Sequence, residues 1–424
     1  MNDYSFPDRP PRPGSTIPPT TINNVAHLLN RGGIACRYNE VKKRVEIEVP
    51  GQPGTLDNRD NVTLSHVVSL ASQAGMPTGH VPDFVDAVAD RNAYNPAADW
   101  ITSKQWDRVD RLPVFLDTIK VQPDYPSELK RLLVHKWMRS AAAAPVMPEF
   151  KARGVLTLQG RQSMGKTSWV KRLVTGPEPA NSLVKLGHHL DAGNKDSVIT
   201  AVSHWLVEIG ELDSSFKRDI ARLKSFLTED TDIVRRPYGR RDVTYRRRTV
   251  FLATVNEAHF LVDQTGNSRW WTVACSDLDY DHDVDMQQLY AQLLKEVRDG
   301  APWWLNPGEE ELLSAWNARH QAISAIADRL DSVIDHDRIG GAGLPAMTAT
   351  QVLALIEYDR PTNGQARECG AVLREVLGEP RRINGREKWR VPVKEATAAD
   401  IAPEKRPAVP AGKHPPQSEP EEIF

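Results

Sequence analysis

The stretch Gly160-Arg-Gln-Ser-Met-Gly165-Lys166-Thr167 fits G-x-x-x-x-G-K-[ST] at every fixed position. An apolar run, Val155–Leu158, precedes it, and a helix-like run, Ser168–Val174, follows. Strand, glycine turn and helix in that order make a phosphate cradle. Glycines let backbone N–H groups face phosphate oxygens. Lys166 neutralises the β and γ oxygens, the Thr167 hydroxyl ligates Mg²⁺, and the helix start adds a favourable dipole. Residues Gly160, Arg161, Gln162, Ser163, Met164, Gly165, Lys166, Thr167 and Ser168 are therefore expected to hold ATP with Mg²⁺. The competing explanation is a chance match on a surface loop, and the flanking strand and helix argue against it.

Downstream, short apolar runs (Trp205–Val207 and Thr249–Val255) alternate with helical stretches, the pattern of an α/β sheet flanked by helices. Hydrolysis at a phosphate loop needs a carboxylate near Mg²⁺ and commonly another to orient water. Forty-two positions after Lys166 a strand runs out into Glu208, with Glu211 just beyond. Glu208 is the expected metal-side carboxylate and Glu211 the candidate for polarising water; otherwise each is a solvated residue past a strand. The strand Thr249–Val255 ends in Asn256, placed to hold water or the γ-phosphate, although Asn is also a common strand terminator. Thirteen residues on, Gly266-Asn-Ser-Arg269-Trp-Trp271 sets an arginine between a turn and an aromatic strand. Arg269 there either reaches a neighbouring subunit's γ-phosphate or stacks on Trp270 or Trp271.

Between the acidic strand and the Asn256 strand lies Arg235-Arg-Pro-Tyr-Gly-Arg-Arg-Asp-Val-Thr-Tyr-Arg-Arg-Arg248, seven arginines against one aspartate, a local excess of six positive charges. Pro237-Tyr-Gly239 reads as the turn of a basic hairpin. Arg235, Arg236, Tyr238, Arg240 and Arg241 suit a phosphate backbone with stacked bases, and the rival reading is a solvated charged face.

The 424-residue chain has 54 basic and 56 acidic residues, a net charge of −2, so overall charge says nothing about nucleic acid. No apolar run approaches the ~20 residues of a membrane span. Cys36, Cys275 and Cys369 are too few and too scattered for a disulfide framework, which fits a reducing cytoplasm. Residues 1–20 hold six prolines and read as a flexible leader without a signal-peptide core. Residues 21–150 read as a mostly helical N-terminal domain, 151–335 as the nucleotide-binding core, 346–393 as a small domain and 394–424 as a disordered tail. In the small domain two helical runs precede a basic hairpin turning at Asn384-Gly385, the order of a winged helix.

The order of these parts resembles the virulence-associated protein E (VapE) family: the phosphate loop, Glu208-x-x-Glu211, Leu223-Lys-Ser-Phe226 leading into Arg235–Tyr238, Asn256, and Gly266–Trp271. Asn95-Pro96 leading to Trp106-Asp107, Asp110-Arg-Leu112 and Lys195-Asp-Ser197 also look like family motifs. The resemblance implies an AAA+-like core similar to superfamily 3 helicases, in a phage- or island-encoded protein acting in the bacterial cytoplasm. It implies a homo-oligomeric ring, a hexamer, with ATP at subunit interfaces and Arg269 as a finger in trans. Lys224 and the arginine block would then belong to a DNA-contacting hairpin around single-stranded DNA in a channel. The winged-helix order of the C-terminal domain suits contact with duplex DNA, and the rival reading is a small capping domain with no ligand. One departure is that Glu208 and Glu211 are separated by Ile-Gly, whereas superfamily 3 helicases usually carry adjacent acids; which of the two activates water stays open. The expected function is an ATP-driven DNA helicase or replication initiator. The alternatives are a nucleotide-switched DNA-binding assembly that does not unwind, and a P-loop small-molecule kinase.

Overall fold

A computed structural model describes residues 5–10, 12, 14–51, 55, 58–176, 180–210, 220–234, 243–256, 261, 267–320 and 325–394. The chain forms two compact units, residues 1–322 and 323–424.

The first unit begins with a small lobe of α1 (Ile22–Arg31), the antiparallel hairpin β1 (Ala35–Asn39) and β2 (Arg44–Glu48), α2 (Arg59–Gln73) and α3 (Val81–Arg91). Thr21 caps α1 by accepting from the Asn24 N–H, and Val25, Leu28 and Leu29 form its buried stripe. The proline-rich segment ahead of α1, expected to be flexible, is tied down at Asp8. Its carboxylate accepts from the Thr21 hydroxyl at 2.6 Å and its N–H donates to Asn24 Oδ1 at 2.9 Å.

The main body follows: α4 (Pro96–Thr102), α5 (Leu112–Asp117), β3 (Ile119–Val121), α6 (Ser127–Val146), β4 (Val155–Gln159), α7 (Lys166–Arg172), β5 (Val184–His188), α8 (Lys195–Val202), β6 (Leu206–Ile209), α9 (Ile220–Leu227), β7 (Thr231–Val234), β8 (Val243–Arg246), β9 (Val250–Val255), β10 (Trp270–Leu278), α10 (Met286–Arg298) and α11 (Pro307–Asn317). Six strands form one sheet in the order β3-β10-β4-β9-β6-β5, parallel except for β3, which runs antiparallel to β10. Strands of a parallel sheet are covered on both faces and read as continuous apolar runs. All six residues of β9 and all four of β6 are buried accordingly.

The two faces of the sheet carry separate cores. Leu156, Leu158, Leu206 and Leu252 pack with α4, α5, α6 and α10, while Val207, Ile209, Phe251 and Val255 pack with Leu223 and Phe226 of α9. The run Ala141–Ala144 lets α6 lie close on the sheet, where Trp137 Nε1 donates to Phe251 O at 2.7 Å and Trp205 Nε1 to Ala141 O at 2.9 Å. The domain boundary expected near residue 150 therefore falls inside a continuous core. Residues 96–146 supply one covering layer and, through β3, an edge strand. The nucleotide-binding core expected over 151–335 is likewise divided, because the helix beginning at Ala325 packs in the second unit.

Beside the sheet, β7 and β8 pair antiparallel, in register from Thr231↔Arg246 to Val234↔Val243. This is the stem of the hairpin expected from the arginine block. The Arg247 side chain, wholly buried, donates through Nε to both Asp232 carboxylate oxygens at 3.0 and 2.9 Å and through Nη1 to Phe226 O at 3.1 Å. Removing one partner of such a pair strands the other charge. Arg247→Ala is expected to cost about 3 kcal/mol of stability, read as a fall in the urea midpoint. A cost below about 1 kcal/mol would mean that water reaches Asp232 and the pair is not sealed.

The second unit contains α12 (Ala325–Val333), β11 (Ala346–Met347), α13 (Ala349–Leu355), α14 (Asn363–Leu377), β12 (Arg381–Ile383) and β13 (Arg386–Arg390), with the antiparallel strand order β11-β13-β12. Thr348 and Thr362 each close a capping box with the glutamine three positions on. The β12–β13 turn falls at Asn384-Gly385, both with positive φ, as that dipeptide predicts. Leu353, Leu373 and Trp389 fill the unit's core. No helix among the described residues is long and apolar enough to cross a membrane.

Candidate phosphate-binding site

The chain leaves β4 at Gln159 and turns through Gly160–Gly165 into α7. Two residues of this turn take left-handed backbone conformations, Ser163 at φ 63° and Gly165 at φ 87°. For Ser163 that is a strained state of the kind found at functional turns. Gly160 is needed for space: a Cβ there would lie 2.7 Å from Met164 Cε and 2.9 Å from Cys275 O. Gly165 is needed for both reasons, since a Cβ would also meet the Tyr280 ring at 2.2 Å.

Lys166 folds back into the turn. Its Nζ donates to Gly160 O at 2.7 Å, Arg161 O at 2.8 Å and Asn256 Oδ1 at 2.9 Å. Burial pulls its ammonium below the ordinary lysine value, opposed by the neighbouring Cys275 and Glu208. The expected strand-end carboxylate, Glu208, lies within β6 and is fully buried. Its Oε1 accepts from the Thr167 hydroxyl at 2.7 Å and the Thr254 hydroxyl at 3.1 Å, and its Oε2 from the Gly187 N–H at 3.0 Å.

Lys166, Thr167, Glu208 and Asn256, drawn from three places in the sequence, thus meet in one cavity of about 470 Å³. The same cavity is lined by Gln162, Ser163, Met164, Gly165 and Ser168. It also includes residues that the sequence reading missed: Gly187, His189, Gly210 and Thr254. Thr254 carried a signal, because it stands two positions before Asn256 on one strand and so shares its face. Gly187 and Gly210 carried none, since their role is the close passage of two backbones, 3.1 Å from one glycine's Cα to a Cβ built on the other. A cluster of hard oxygen donors beside a lysine and a glycine turn fits a triphosphate with a small divalent cation.

Arg269 is elsewhere. In the parallel pairing Trp270 stands opposite Val155 and Ala274 opposite Gln159. Arg269 therefore lies at the start of the strands and the glycine turn at their ends, separated by a strand length of about 15 Å. It lines a second cavity of about 630 Å³ with Lys151, Arg153, Trp271, Trp303 and Trp304. Its Nε is buried and has no hydrogen-bond partner among the described residues. Lys224, expected on a DNA-contacting hairpin, instead lies within α9 and is only 7% exposed. At the end of the arginine block, Arg247 is consumed by Asp232 and Arg248 pairs with Glu40 at 2.7 Å. Glu211, Arg235, Arg236, Tyr238, Arg240 and Arg241 lie outside the described residues.

Residues 101–322 match the family profile of the virulence-associated protein E-like domain. No curated protein matches the chain. Among solved structures, an A-form apo structure of the NrS-1 C-terminal region is similar at 12% identity and a TM-score of 0.41, covering 87% of this chain and 98% of that one. A second apo structure of that region gives 14% identity and a TM-score of 0.36 over 87% of this chain and 98% of the other.

Proposed function

Because the chain belongs to the virulence-associated protein E-like family, we propose that it is an ATPase whose glycine turn binds ATP with Mg²⁺ and whose turnover acts on DNA, in the manner of a helicase or replication initiator of a phage or mobile element. The observation that carries this reading is the convergence of Lys166, Thr167, Glu208 and Asn256. The strand order supports an AAA+-like core, because β9, which runs out into Asn256, lies between the strand of the glycine turn and the strand of Glu208.

In this reading the turn's N–H groups and Lys166 bind the β- and γ-phosphates. The Thr167 hydroxyl and the Glu208 carboxylate, already in contact, would hold Mg²⁺, which when bound neutralises charge developing on the phosphate oxygens. Asn256, tied to Lys166, orients the γ-phosphate or the attacking water, and Glu211 would polarise that water. Arg269, too far from its own turn, would serve a neighbouring subunit in a ring. The β7–β8 stem supports a hairpin carrying Arg235–Arg241 toward DNA. The helix-helix-hairpin order of the second unit, with exposed Arg381, Arg382 and Arg386, supports a winged-helix-like, duplex-binding domain.

ATP hydrolysis with and without single-stranded DNA, read beside particle mass by light scattering, tests the proposal. Mg²⁺-dependent turnover stimulated by DNA, with mass rising on nucleotide addition, is the expected result. Turnover indifferent to DNA, with no strand displacement, would replace the motor by a nucleotide-switched assembly. A particle that stays single with ATP present would remove the ring.

A further inference from the structure

In the proposed nucleotide site the γ-phosphate lies among the side chains gathered at one end, and this constrains where the rest of the ligand goes. Lys166, Thr167, Asn256 and Glu208 all gather on the β9–β6 side of the glycine turn. The ribose and base have to leave on another side. On the β10 side the chain continues past Leu278 into Asp279-Tyr280-Asp281-His282-Asp283. This segment is pinned at both ends: the Asp279 N–H donates to Thr118 O at 2.8 Å, and Arg172 Nε of α7 donates to His282 O at 2.9 Å. Between these points the Tyr280 ring lies directly on Gly165, close enough that no side chain fits there, yet it remains 50% exposed. A large aromatic left half in solvent, held at the rim of a phosphate site, is a surface for another flat ring. The exposed carboxylates of Asp279 and Asp281 flank it and repel phosphate, so the uncharged aromatic end of a nucleotide is what this rim accepts.

From this juxtaposition, and resting on the proposed nucleotide site, we propose that Tyr280 is the platform on which the base of the bound nucleoside triphosphate stacks. Base–aromatic stacking is sequence-tolerant and strong enough to change affinity by about tenfold or more. The ring makes no call on the phosphates, and this separates its effect from that of Lys166.

The test is calorimetric titration of the full chain in Mg²⁺ buffer with two probes, ATP and inorganic tripolyphosphate, which lacks ribose and base. Tyr280→Ala is expected to weaken ATP about tenfold while leaving tripolyphosphate unchanged, and Tyr280→Phe to bind both as the parent does. Equal weakening of both probes would mean that the ring only shapes the turn, and unchanged ATP affinity would mean that the base goes elsewhere; either overturns the assignment. A parent protein that binds neither probe removes the nucleotide site itself, and Tyr280's role with it. Parent binding of both probes with no Tyr280→Ala effect removes only the base platform.

Discussion

Lys166→Ala brings ATP turnover to background, an expected loss of at least about a thousandfold. Two losses combine in it. The ammonium that would neutralise the β and γ oxygens is gone, and so are the three hydrogen bonds by which Nζ ties Gly160 O, Arg161 O and Asn256 together. In the parent these bonds keep an ammonium where burial disfavours its charge; an incoming triphosphate restores the favourable partner. Steady-state hydrolysis, with a thermal melt to verify folding, is the measurement. Parent-like turnover in a folded Lys166→Ala protein would dismiss the glycine turn as the catalytic site.

Arg269→Ala is expected to lose about a thousandfold in turnover while binding ATP as the parent does, because an arginine acting across an interface stabilises the transition state and not the ground state. The separation of Arg269 from its own turn makes a sharper version available. Mixing Lys166→Ala subunits, which keep the arginine, with Arg269→Ala subunits, which keep the turn, is expected to recover activity that neither shows alone. Absence of recovery, despite mixed assembly confirmed by mass, rejects the shared site.

What could be read from residues alone follows from how local each feature is. The glycine turn was legible because three residue types at fixed spacing between a strand and a helix have one physical use. Glu208 and Asn256 were legible as polar residues where apolar runs stop, although Glu208 lies inside its strand, where Thr167, Thr254 and Gly187 satisfy it. The Asn384-Gly385 turn announced its hairpin through its need for positive φ. By contrast β3 is three residues long, too short for any periodicity, and its membership in the sheet depends on β10, about 150 positions away. That is why residues 96–146 read as part of a mostly helical N-terminal domain over 21–150 when they are one layer of the core. Lys224 was expected on a DNA-contacting hairpin only through the family resemblance, and the packing of α9 buries it. Tyr280 stands in no motif, and its significance lies only in what it covers.

The stem formed by β7 and β8 joins β9 through three residues, Arg247, Arg248 and Thr249. Each is fastened: Arg247 to Asp232, Arg248 to Pro145 O and Glu40, and the Thr249 hydroxyl to His204 O. A tether so short and so pinned has no slack. Displacement of the stem would therefore bear on β9 through these three residues, and β9 runs out into Asn256, whose Oδ1 accepts from Lys166 Nζ.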